Sequence, residues 1–121
     1  MDTIKTLVIE PLRRPELRDI DPSITAIGKT IGGYAEPLPL DRRTTLWCDE
    51  EGAIKNLKPN RTIRLSQDSR LADAGKPIII RGTFVITGPH PQDGPLGLDD
   101  EQIGRYAAMF ADPEAPCRLP D

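Results

Sequence analysis

Hydrophobic positions along this chain fall into short runs, interrupted repeatedly by proline, glycine and paired charges. The opening KTLVIEP predicts a first strand, because the run is too short for a helix with a buried stripe and its β-branched residues suit a pleated surface. Pro11 to Pro15 turns the chain, and Glu16 to Ile20 returns as a short strand whose charges blunt a sheet edge. Tyr34 to Leu40 and Thr44 to Asp49 flank the polar Asp41, Arg42 and Arg43 in the pattern of a hairpin. Pro37 and Pro39 cannot donate to a ladder, so that arm belongs at an edge. Glu50, Glu51 and Gly52 reverse the chain, Ala53 to Lys55 pairs back, and Lys58, Pro59, Asn60 and Arg61 turn it again. The strongest strand signal runs from Ile78 to Thr87. A two-residue period places Ile78, Ile80, Phe84 and Ile86 on one face and Ile79, Arg81, Thr83, Val85 and Thr87 on the other. Gly82 marks a bulge or a close backbone approach.

Two segments change period. Asp21 and Pro22 read as an N-cap and first helical residue, and the double glycine after Ile31 ends a helix over residues 22–31. Ile24, Ile27 and Ile31 then share a buried face. Asp99 with Gln102 forms a capping box, and Leu98 with Ile103 a hydrophobic staple. The stripe Ile103, Tyr106, Ala107 and Phe110 follows, and the helix stops before Asp112 and Pro113. Residues 66–76 lack a period and read as a surface connection, as does the loop over residues 88–95. Together these elements predict one α+β domain over residues 1–111: a mostly antiparallel, bent sheet with two short covering helices, followed by a loose tail over residues 112–121.

A chain of 121 residues suits a single domain, and thirteen prolines, about twice the usual share of roughly 5%, fit interrupted strands and long loops. A net charge of -3 argues against nonspecific duplex nucleic-acid binding, which needs a basic surface. The opening residues lack a signal-peptide pattern and no run approaches a membrane span, so the expected location is cytoplasmic. Cys48 and Cys117 read as free thiols of a reducing compartment.

The succession LVIEP, IGGY, LWCDEEG, NLKPNR, PIIIRGTFVITG and LDDEQIGRYAAMF resembles the family called domain of unknown function 3846, over roughly residues 3 to 111. Such domains occur in phages, plasmids and bacterial genomes, so the resemblance implies an accessory protein of a mobile element. It implies no catalytic residues.

Asp49, Glu50 and Glu51 offer oxygen ligands to a hard cation, but adjacent strand residues point to opposite faces and the distal ligands of a calcium loop are missing. His90 is the single histidine, and Cys48 and Cys117 lie far from it in sequence, so no standard zinc spacing exists. His90 beside Asp93 could act as a base on Cys48 or a serine, yet Ser23, Ser66 and Ser69 lack a nucleophile-elbow context. An exposed loop histidine is the simpler reading. No metal or cofactor is expected.

Lys55, Lys58, Arg61 and Arg64 recur every third residue with no acid between Gly52 and Leu65. On a strand-turn-strand they place cations around one rim, where Arg42 and Arg43 can join them. Asn60 and turn amides add donors suited to phosphate, and Trp47 or Tyr34 could stack on a base. The competing reading makes the cations a solvated surface and Trp47 part of the core. The preferred function is a noncatalytic accessory protein that binds a small anionic ligand, such as a nucleotide signal sequestered against host defence. The alternative is a protein-binding accessory or inhibitor that acts on a host protein through a sheet edge or the last helix. An enzyme is the remote third reading, and a homo-oligomer is compatible with each.

Overall fold

A computed structural model of the chain describes residues 2–64, 76–91 and 94–113. Its centre is a five-stranded antiparallel sheet in the order β2-β1-β7-β4-β3. The strands are β1 (Ile4–Ile9), β2 (Glu16–Ile20), β3 (Ala35–Asp41), β4 (Thr44–Asp49) and β7 (Phe84–Thr87). β5 (Pro59–Arg64) and β6 (Pro77–Arg81) form a separate two-stranded sheet. The helices are α1 (Ile24–Ile31) and α2 (Asp100–Met109). The fold is therefore α+β, mostly antiparallel, with two helices.

Both faces of the central strands are covered, which explains why β1 ends in an unbroken apolar run and β7 is buried at all four positions. On one face α1 lays Ile27 and Ile31 over Val8, Ile20, Trp47 and Val85. On the other, Leu7, Ile9, Leu46, Phe84 and Ile86 meet Ile63 and Ile80 of the small sheet together with Tyr106 and Phe110. Phe84 and Phe110 meet edge to face at 5.4 Å.

The capping box forms as its sequence predicts: Asp99 Oδ1 accepts from Gln102 N–H, and Gln102 Oε1 accepts from Asp99 N–H. Gln102 also donates to Arg43 O and Thr44 Oγ1, which docks the start of α2 on the β3–β4 hairpin. Tyr106 and Phe110 are buried, while Ile103 and Ala107 pack at the margin. The prolines of β3 lie on an edge strand, as expected.

Five expectations are corrected. Helix α1 starts at Ile24, with Ser23 rather than Asp21 as its cap, because the Ser23 hydroxyl accepts from Ala26 N–H at 3.1 Å. Ile24 then sits at the helix tip and is 47% exposed, leaving Ile27 and Ile31 as the buried pair. Residues 53–55 do not pair as a strand: Lys55 N–H bonds to Glu51 O and Leu57 N–H to Gly52 O, and Asn56 closes the turn at φ 55°. Lys58 to Arg61 is not a turn but the entry to β5. Finally, the run from Ile78 to Thr87 is two strands in two sheets, divided at Gly82, whose φ of 78° no extended strand contains. A Cβ there would stand 2.7 Å from Leu57 Cδ1. The face assignment nevertheless survives the break, since Ile80, Phe84 and Ile86 share one core and Val85 enters the other. The expected connection at residues 66–76, except for Lys76, lies outside the described residues, as does most of the expected tail.

Candidate functional site

The spaced cations of residues 55–64 part company in three dimensions. Asn60 and Arg61 are buried at the start of β5, 1% and 2% exposed. Asn60 Nδ2 donates to Ile9 O (2.8 Å) and Gly82 O (2.9 Å), which joins β5 to β1 and to the break between β6 and β7. Its Oδ1 accepts from Arg61 Nη1 at 2.7 Å. The Arg61 fork then donates to Phe110 O through Nε and Nη2, and to Arg13 O through Nη2 at 2.7 Å. Phe110 is the C-cap of α2, so the guanidinium meets the helix end where carbonyls and the macrodipole favour a cation. These two residues hold the scaffold together.

Lys55 serves a second structural contact. Its Nζ lies 2.9 Å from Asp49 Oδ2, and the Asp49 side chain is 1% exposed while Lys55 is partly open to solvent. Burial works to raise the Asp49 carboxyl, but the Lys55 hydrogen bond and the Glu51 amide outweigh it and hold its pKa below the ordinary 3.8. The Lys55 ammonium moves upward, chiefly through the same hydrogen bond. Gly33 packs against this pair: a Cβ there would lie 2.4 Å from Asp49 Oδ2 and 2.8 Å from Lys55 Nζ. The acidic half of DEEG thus anchors a turn, with Asp49 inside and Glu50 and Glu51 exposed.

Arg43 pairs with Asp99 at the head of α2. Arg42 is exposed at the hairpin tip and borders a hollow of about 530 Å³, formed on one side by Pro37, Pro39 and Thr45 and on the other by Pro89, His90 and Pro91. The geometry follows from two P-x-P repeats. In β3, alternate residues share a face, so Pro37 and Pro39 lie opposite Trp47 and Thr45 on the side of the sheet that α1 also covers. Trp47 is fully buried; its Nε1 donates to Thr87 Oγ1 at 2.9 Å, and His90 packs edge-on against its ring at 4.8 Å. In this arrangement Trp47 presents no face to a base but supports the histidine that does reach solvent. Asp41, also on the hollow, accepts from the Tyr106 hydroxyl and from Arg43 N–H. Burial opposes its ionisation, and these hydrogen bonds more than compensate, lowering its pKa. Tyr106 is pushed up to about 12 by burial and by that carboxylate.

Arg64 lies on another opening, a cleft of about 430 Å³ between β5 and α2, with Arg61, Tyr106, Met109 and Asp112. Lys58 is exposed at the entry to β5. The eight residues singled out by sequence, Arg42, Arg43, Trp47, Lys55, Lys58, Asn60, Arg61 and Arg64, therefore share no single rim: Arg42 borders the proline hollow, Arg43 pairs with α2, Trp47, Asn60 and Arg61 are wholly buried, Lys55 closes a turn, Lys58 is exposed before β5, and Arg64 lines the other cleft. The hollow itself was carried in the sequence by PLP at 37–39 and PHP at 89–91, a spacing that sets both prolines of a strand on one face.

Among the described residues no group of three or more His, Cys, Asp or Glu side chains gathers where a metal could bind. Cys48 is a buried free thiol, pushed up to about 12 by burial and by the Glu36 and Asp49 carboxylates. Cys117 and Asp93 lie outside the described residues. No described helix is long and apolar enough to cross a membrane.

A model of the family described as Domain of unknown function (DUF3846) matches residues 4–111, and the chain belongs to that family. No curated protein matches it, and neither does any solved structure. The stretches of this chain that carry the resemblance acquire physical meaning here. IGGY supplies the left-handed Gly32 cap and the space for Asp49 and Lys55, NLKPNR supplies the buried Asn60–Arg61 clip, and the break in PIIIRGTFVITG divides the two sheets.

Proposed function

We propose that the protein is a noncatalytic accessory module of a mobile element that holds a small anionic ligand, with a planar group over the prolines of the hollow and its charge on Arg42. The observation that carries this reading is the hollow itself, where a cation, the His90 ring and the Thr45 hydroxyl border one concave apolar surface. Its size falls within the range of small-ligand sites, about 300–1,000 Å³. A guanidinium matches a phosphate through paired N–H donors, and flat pyrrolidine faces suit a base. Each opening carries one carboxylate, Asp41 in the hollow and Asp112 in the cleft, but Asp41 is engaged by the Tyr106 hydroxyl and Arg43 N–H, whereas in the cleft the Arg61 fork already serves main-chain carbonyls. The mobile-element setting rests on the family resemblance. Calorimetric titration against linear and cyclic nucleotides tests the reading. A binder should lose about 10- to 150-fold in affinity in Arg42→Ala, the equivalent of about 1.5 to 3 kcal/mol, and keep its affinity in Lys58→Ala. Undiminished binding by Arg42→Ala, or no binding by any member, goes against it.

A protein partner is the second reading, favoured by an apolar groove on the other side of α1. Ile24 and Tyr34 stand 47% and 76% exposed around a floor of Gly28, Gly32 and Gly33. Tyr34→Ser should then abolish association with the partner while leaving nucleotide titrations unchanged.

A further inference from the structure

The two edges of the five-stranded sheet are chemically different, and the difference can be followed strand by strand. Glu50 N–H bonds to Tyr34 O at 2.9 Å, so in the β3–β4 ladder the bonded pairs fall at even positions of β3. Pro37 and Pro39, opposite Trp47 and Thr45, consequently turn their nitrogens to the open edge. That edge presents carbonyls without the matching N–H groups, and a strand added there would find no donors at these two positions. The prolines close it to β-augmentation.

Continuing the alternation through β4, β7 and β1 gives bonded pairs Trp47 with Val85, Leu7 with Ile86, and Thr6 with Arg18. Lys5 O supports this phase, since it faces away from β2 to accept from Leu98 N–H. On β2, the main-chain groups of Leu17 and Asp19 therefore point outward, and no described residue bonds to their N–H groups. Leu17 is also a 53% exposed apolar side chain on this open edge.

We infer that β2 is a pairing edge for a second copy of this chain, in an antiparallel seam centred on Leu17. In that register Leu17 exchanges both main-chain hydrogen bonds with Leu17 of the second copy, and Asp19 N–H reaches the carbonyl of Pro15 of the second copy. The two Leu17 side chains cover each other on one face. On the opposite face Glu16 stands across from Arg18 of the second copy, and Arg18 across from its Glu16, so both cross-strand pairs are of opposite charge. Within one chain Arg18 already donates to Glu16 Oε1 through Nε (3.0 Å) and Nη2 (2.9 Å), which sets the fork beside the seam. A register centred on Arg18 would instead oppose two arginines, so charge selects the Leu17 centre. A five-residue seam is smaller than a permanent interface of more than about 1,200 Å², and the dimer is concentration-dependent.

The experiment is sedimentation velocity across a dilution series up to about 1 mM, combined with amide exchange at Leu17 and Asp19. Wild-type protein should shift from monomer to dimer as those two amides gain protection. Leu17→Pro removes an outward donor without touching the β1 ladder and should remain monomeric with an unchanged melting curve. Glu16→Lys and Arg18→Glu should each be monomeric alone, and an equimolar mixture should dimerise because the charges then alternate across the seam. This mixing result keeps the test decisive if Leu17→Pro fails to fold. Wild-type protein that stays monomeric throughout overturns the inference, as does a dimer that survives both charge reversals.

Discussion

Arg61 donates to the carbonyl of Phe110 through both Nε (3.3 Å) and Nη2 (2.9 Å), so a residue of the small sheet caps the final helix. The same guanidinium reaches Arg13 O after the first strand. Three parts of the chain that are far apart in sequence are thereby fixed around one side chain.

Phe110 itself fills the space between α2 and β7. Because it is 3% exposed and packs on Phe84, Phe110→Ala should lower stability by about 3 to 5 kcal/mol, read from denaturant midpoints at constant m-value. An unchanged midpoint would place this ring outside the core.

The Asp49–Lys55 contact gives acid sensitivity of a definite sign. The Asp49 carboxyl has a lower pKa folded than unfolded, so folding favours its ionised form. That contribution is complete above the ordinary 3.8 and is lost as pH falls through the folded value. Melting temperature should therefore decline in acid more steeply for wild type than for Asp49→Asn, with Asp41 and Asp99 retaining part of the slope because their pKa values are lowered too. Identical slopes would contradict the assignment. For Lys55 the direction is opposite: its pKa is raised, so its contribution is present below 10.5 and disappears in stronger alkali.

Cys48 should be unreactive in the folded protein. In a Cys117→Ser variant, a thiol reagent at pH 8 should titrate the single remaining cysteine only after denaturation, since burial and two carboxylates keep it protonated up to about 12. Prompt reaction of the native protein would show that β4 opens readily.

Gly82→Ala should be strongly destabilising, because the backbone is left-handed there and the new methyl meets Leu57. Gly104→Ala, on α2 with open space around it, is the matched control and should stabilise by roughly 0.5–1 kcal/mol. If both substitutions move the melting curve equally, the break at Gly82 carries no special strain.

The parts legible in the sequence are those set by neighbours. The capping box of α2 needs only Asp99 and Gln102, and the β3–β4 hairpin only its two runs and the polar residues between them. The Gly82 break was harder to read because a two-residue period continues on both sides of it, so the faces match while the strands separate. Arg61 eludes the sequence for a different reason: charge and spacing suggest a surface cation, whereas its burial depends on a carbonyl 49 residues away. The hydroxyl of Ser23 likewise outcompetes Asp21 through the actual geometry at the helix start, which residue preference alone does not resolve.

The division of the basic segment into scaffold and surface is tested most directly by urea denaturation of Arg61→Ala beside Lys58→Ala. Removing the Arg61 side chain leaves the carbonyls of Phe110 and Arg13 and the Asn60 side chain without their charged donor in a buried place, at an expected loss of about 2 to 5 kcal/mol. Lys58→Ala should stay within about 0.5 kcal/mol of wild type. Arg61→Lys should recover little, since an ammonium cannot span the same acceptors as the planar fork. A large loss confined to the Arg61 variants is the predicted result; an Arg61→Ala midpoint equal to that of Lys58→Ala would contradict the account.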